Sequence, residues 1–149
     1  MIKKNIIFIS LIFFLTSCGF TPIYLKNTGL SFSIEQVNYK GDRDLNNFLK
    51  TNLIKYKNKK SDNKIYIEAN STYKKIVLSK DSTGEITSYQ LEAEVIFSIM
   101  PLNKKIKIRE KKIMNSKDDK FEEDRYERSV KQNFASSISN KLSTELIVN

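Results

Sequence analysis

The residues whose type and spacing could do chemistry are few. Cys18 is the only cysteine among 149 residues, and the chain has no histidine. That removes imidazole as an acid, a base or a metal ligand. Without a second cysteine there is no internal disulfide. The four glycines stand singly at positions 19, 29, 41 and 84, so the chain has no glycine-rich phosphate loop. Glu92 and Glu94 are two residues apart and would share one side of a strand, where paired carboxylates can do acid–base work. Their neighbours are ordinary polar strand residues, so the pair does not read as catalytic. The expectation is a protein that is not an enzyme, with no cofactor and no metal site.

Cys18 is different, because its surroundings are specific. Leu15-Thr16-Ser17-Cys18 places Leu at −3 and small residues at −2 and −1, the lipobox read by bacterial lipoprotein processing. Lys3 and Lys4 supply a positive tip, and Ile6 to Leu15 is a short apolar core. That core is shorter than the roughly 20 apolar residues of a spanning helix. Residues 1–17 therefore read as a cleaved signal peptide and 18–29 as a lipidated N-terminus with a short tether. Residues 30–149 read as one domain. The only group bound covalently would be the lipid on Cys18. Two or three acyl chains anchor a protein stably, whereas one holds it only marginally. The residue after the cysteine is Gly19 rather than an inner-membrane-retaining Asp, so the expected location is the periplasmic face of the outer membrane.

Charge narrows the partner. The whole chain carries +9, and loss of Lys3 and Lys4 leaves +7. A basic surface suits nucleic acid, phospholipid, or the phosphates and acid sugars of lipopolysaccharide. Secretion argues against nucleic acid. Nearly all of the positive charge is lysine, with only four Arg, as an AT-rich genome would also produce.

The elements that must position these groups follow from periodicity. Leu30 to Asn38 alternates as a first strand, with a parity break near Gln36. Asp42 caps a helix running to about Tyr56, with Leu45, Phe48, Leu49, Leu53 and Tyr56 on its inner face and Asn46 on its outer side. Lys57 to Lys64 is a Lys-rich loop that could meet anionic headgroups, although a solvated connection is the plainer reading. A second strand starts at Ile65 and continues toward Leu78, with a possible bend at Ser71-Thr72. Lys80 to Glu85 turns the chain, with Gly84 free to take positive φ. Tyr89 to Ile99 alternates most cleanly of all. Pro101-Leu102-Asn103 turns into a fourth strand, Lys104 to Met114, in which Lys105, Lys107 and Arg109 line one face. The acidic run Asp118 to Asp124 reads as a helix start rather than a metal site, with Asp119 and Glu122 as a capping box. The last helix buries Val130, Phe134, Ile138, Leu142 and Leu146. The order β-α-β-β-β-α predicts an α+β fold, a two-layer α/β sandwich with two helices packed on a four-stranded mixed sheet.

Three segments carry a family resemblance. Cys18-Gly19-Phe20-Thr21-Pro22-Ile23-Tyr24 resembles the mature start of the lipopolysaccharide-assembly lipoprotein LptE family, especially its alphaproteobacterial forms. Ser88 to Val95 is similar to that family's central strand, and Asp124-Arg125-Tyr126 with Asn133-Phe134-Ala135 to its closing helix. The resemblance implies an α/β sandwich that sits as a plug inside the LptD β-barrel. There it helps the barrel fold and helps lipopolysaccharide pass to the outer leaflet. Lys105, Lys107 and Arg109 are then the candidate lipopolysaccharide-binding row. The alternatives are a non-catalytic envelope scaffold and a small-ligand-binding lipoprotein.

Overall fold

Four strands and two helices follow one another along the chain: β1 Ser33–Gly41, α1 Arg43–Leu53, β2 Lys64–Lys80, β3 Ile86–Met100, β4 Lys104–Asn115 and α2 Lys120–Ile147. The computed structural model describes residues 32–57, 61 and 63–147. Cys18, the segment 1–17 and the tether 18–29 lie outside the described residues, as do Leu30 and Ser31. The expected architecture is present: two helices on a four-stranded mixed sheet of order β1-β2-β3-β4. β1 pairs parallel with β2, as a strand–helix–strand connection allows, and the other pairs are antiparallel hairpins.

Alternation decides which face the helices cover. Leu91, Ala93, Val95 and Phe97 on β3 are fully buried, while Gln90, Glu92, Glu94 and Ser98 between them are half-exposed. Ile65, Ile67 and Ala69 continue the covered face on β2, and Ile106, Ile108 and Met114 on β4. Leu45, Leu49 and Leu53 come down from α1, and Val130, Phe134, Ile138, Leu142 and Leu146 from α2. α2 has 28 residues. At 1.5 Å per residue it is about 42 Å long, enough to lie along most of β3. Asp42 caps α1 by accepting from the Leu45 N–H at 2.8 Å. Asp119 caps α2 by accepting from Phe121 N–H, but the reciprocal half of the capping box is replaced: Glu122 pairs with Arg125 at 3.0 Å.

Two expectations are corrected. β2 does not bend at Ser71-Thr72; it runs unbroken for 17 residues. Ser71 is fully buried, and its hydroxyl lies 2.8 Å from Asn46 Oδ1. Asn46 is accordingly on the inner side of α1, where its Nδ2 donates to the Lys40 carbonyl at 3.1 Å. A polar pair satisfied by its own partners can sit in a core position that its residue types alone argue against. The parity break in β1 is a bulge between Ile34 and Gln36, as the alternation implies.

Candidate functional site

One face of the sheet carries both helices. The other carries no layer among the described residues. On that open face β4 presents Lys105, Lys107, Arg109 and Lys111, all exposed. The row projects together because β4 is regular from Lys104 to Asn115 and successive side chains alternate. The three-residue turn at Pro101–Asn103 sets the register against β3. It places Glu94 opposite Arg109 and Glu92 opposite Lys111.

The result is a ladder of opposite charges. Lys107 Nζ lies 3.0 Å from Glu94. Arg109 Nε donates to Glu94 Oε2 at 2.8 Å, and its Nη2 closes on the same oxygen. Arg109 also reaches Glu92 at 3.3 Å, and Lys111 reaches it at 3.2 Å. Arg109, first, and Lys107 hold the Glu94 carboxyl below the usual carboxylate range. Exposed pairs of this kind contribute about 0–1 kcal/mol each, so the ladder does not hold the fold together. Its effect is electrostatic. Four cations face two carboxylates, which leaves the row positive but mostly pre-paired. Lys105 has no ion-pair partner among the described residues; it lies beside Ser98. Lys74 of β2 lies across from Glu92 and adds a cation on the far side.

The carboxylate partners were the part missed at the level of sequence. Glu92 and Glu94 pair with the cations of β4 and organise the basic row. Between β4 and α2 lies an open groove of about 560 Å³, with Lys107 and Arg109 among the residues that line it. Two residues of its α2 wall are tied to β4 through Glu110, which accepts from Ser137 Oγ at 2.7 Å and Lys141 Nζ at 2.6 Å. Among the described residues no group of three or more potential metal ligands converges. No described helix is long and apolar enough to cross a membrane.

A two-layer sandwich with one sheet face left open is the class that the fold defines. Solved structures with this fold include rare lipoprotein B from Shewanella oneidensis, at 13% identity and a TM-score of 0.54 over 74% of this chain and 96% of that one. Uncharacterized lipoprotein B from Nitrosomonas europaea matches at 15% identity and a TM-score of 0.54, over 79% and 86% of the two chains. A minor lipoprotein from Acinetobacter baumannii matches at 15% identity and a TM-score of 0.50, over 74% and 94%. The fold is therefore one that bacterial lipoproteins carry. No protein-family model and no curated protein sequence matches the chain.

Proposed function

We propose that this protein is a non-catalytic outer-membrane lipoprotein, anchored through Cys18 on the periplasmic face. Its role would be that of plug and assembly partner of an LptD β-barrel in lipopolysaccharide transport. The observation that carries the reading is the uncovered sheet face with its charge ladder, on a fold shared with bacterial lipoproteins and downstream of a lipobox. A face of that kind needs either solvent or a polar partner wall, and the lumen of a large barrel is such a wall. The segments that resemble the LptE family support the barrel as the partner. Lys105, Lys107 and Arg109 would meet lipopolysaccharide phosphates, Arg109 as a fork and the lysines as point charges.

Affinity purification from envelope membranes in mild detergent tests the reading. The expected result is co-purification of one large β-barrel with bound lipopolysaccharide. Recovery of soluble or peptidoglycan-bound partners, and no barrel, would show a scaffold instead.

A further inference from the structure

The large apolar side chains left exposed fall at the two ends of the sheet. Tyr66 and Met100 face each other across β2 and β3 and are 49% and 57% exposed. Leu102 in the next turn is 59% exposed, Ile54 after α1 is 62%, and Ile147 at the end of α2 is 51%. These five share one end. Ser33 pairs with Lys64 and Ile99 with Lys104, Lys57 bridges to Ile34, and Lys104 Nζ donates to the Glu145 carbonyl at 3.2 Å. That is also the end at which the chain arrives, at Phe32. Ile76, Val77, Leu78 and Ile113, with Phe121 in the first turn of α2, lie at the opposite end, beyond the reach of β1.

A single exposed leucine is ordinary. Each end carries five, and what sets this end apart is that the chain arrives here from Cys18, so an anchor would bring these side chains and the cations among them to the bilayer first. Lys57 and Lys105 are exposed there and have no carboxylate partner among the described residues. The tyrosine combines an apolar ring with a polar tip, the type that favours a membrane interface.

We infer that this end of the sandwich docks on an anionic phospholipid surface, with Met100, Leu102 and Ile54 entering the headgroup layer. Thirteen residues, 19–31, separate Cys18 from Phe32, which is fourteen Cα–Cα steps. At ~3.3–3.6 Å per residue that tether spans at most about 50 Å, so an anchored Cys18 keeps this end within reach of its own bilayer. Lys57 and Lys105 meet lipid phosphates while their stems lie along the apolar side chains. The far end and the rest of the basic row, Lys107, Arg109 and Lys111, then extend away from the surface toward a partner. The docking rests on the acyl anchor of the proposed function but not on the barrel.

The chain has no tryptophan, so one can be introduced as a single reporter. The acylated full chain carrying Leu102→Trp, or Ile113→Trp at the far end, is reconstituted in phosphatidylethanolamine–phosphatidylglycerol vesicles with brominated acyl chains. Leu102→Trp should lose about half of its emission, as a ring ~5–10 Å below the headgroups would, and Ile113→Trp should keep nearly all of it. Adding Lys57→Gln and Lys105→Gln, or omitting the anionic lipid, should weaken the quenching; no change would overturn the electrostatic part. An acylated protein whose Leu102→Trp stays unquenched, or is quenched no more than Ile113→Trp, overturns the docking while leaving the anchor intact. A mass spectrum showing Cys18 without lipid would remove the anchor, and the docking with it.

Discussion

Gly41 packs so closely on Ser71 that a Cβ at Gly41 would lie 1.8 Å from the Ser71 carbonyl oxygen. The same oxygen accepts from the Asp42 N–H at 3.2 Å, so the corner between β1 and α1 is clamped onto the middle of β2. Gly41 has φ +97°, a conformation that side chains resist. Gly84 in the β2–β3 turn has φ +89° but open space around it. Gly84→Ala should therefore lose only the backbone strain, ~1–3 kcal/mol, while Gly41→Ala must also displace a strand and should lose more than that. Urea denaturation of the two variants compares them directly. Equal losses would mean that the corner can move away from β2 at little expense.

Phe97 on β3 is fully buried and Phe134 on α2 is 6% exposed, on the two sides of the interface between sheet and helix. Truncating either to Ala should destabilise by about 3–5 kcal/mol. A domain of this size has about 5–15 kcal/mol in total, so each variant should remain folded but melt well below wild type. Thermal unfolding followed by circular dichroism reads the difference, and a melting temperature unchanged in both would contradict their packing.

The strand faces could be read in advance because β3 alternates without interruption from Tyr89 to Ile99, and only one of its two faces is apolar enough for a core. The Ser71–Asn46 contact could not. By residue type Ser71 suits a bend in β2, and Asn46 a solvent-facing position on α1. Each is buried with its polar atoms satisfied, by the other, 25 positions away, and by the Lys40 carbonyl. Periodicity holds no information about a pair of that separation. The ladder lies between these cases. The position of Glu94 opposite Arg109 follows from counting outward through the turn at Pro101–Asn103, once that turn is taken as a tight hairpin. Glu92 and Glu94 are neighbours on one strand face, but their partners are on β4. In the sequence Glu123 is one acid among several at a helix start. Its role depends on Lys75, in the middle of a different element.

That role has a pH signature. The Glu123 side chain is fully buried, 2.7 Å from Lys120 Nζ and 2.9 Å from Lys75 Nζ, and accepts from Ser116 Oγ and the Lys117 N–H at 3.2 Å. Lys120 first, then Lys75, hold its carboxyl down at about 2. The folded value lies below the unfolded one, near 4.3 for a free Glu. The carboxylate therefore stabilises the fold in full above about pH 4.3, and this contribution is lost as pH falls toward 2. Glu123→Gln should be clearly less stable than wild type at pH 7, with the gap narrowing only below about pH 4.5. Denaturation curves at pH 7, 5 and 3 measure it, and a gap independent of pH would show that Glu123 acts through shape alone.

The anchor prediction concerns Cys18, whose lipobox context motivates it. Cys18→Ser should block both lipidation and normal signal cleavage, so the variant should run larger and lose stable membrane attachment. A free Cys18 thiol in the mature wild-type protein, seen by mass spectrometry, would end the idea.

The basic row makes a prediction in two directions. If Lys105, Lys107 and Arg109 bind lipopolysaccharide phosphates, replacing all three with Gln should weaken binding, most at low salt, where screening is least. Loss alone is ambiguous, because removing positive charge weakens any anionic contact. The ladder supplies the converse. Glu94 already occupies Arg109 and Lys107, and Glu92 occupies Arg109 and Lys111. A phosphate must compete with those carboxylates for the same donors. Glu92→Gln with Glu94→Gln removes the competitors and keeps every cation, so it should tighten binding, again most at low salt. The fold should tolerate both sets, since each exposed pair is worth only about 0–1 kcal/mol. Lipopolysaccharide titration of wild type and the two variants across a salt series decides the point. Weaker binding in the first and tighter in the second identifies the row as the site. Tighter binding in neither and weaker in neither would leave the ladder as a solvated face that keeps the β4 edge from pairing with other chains.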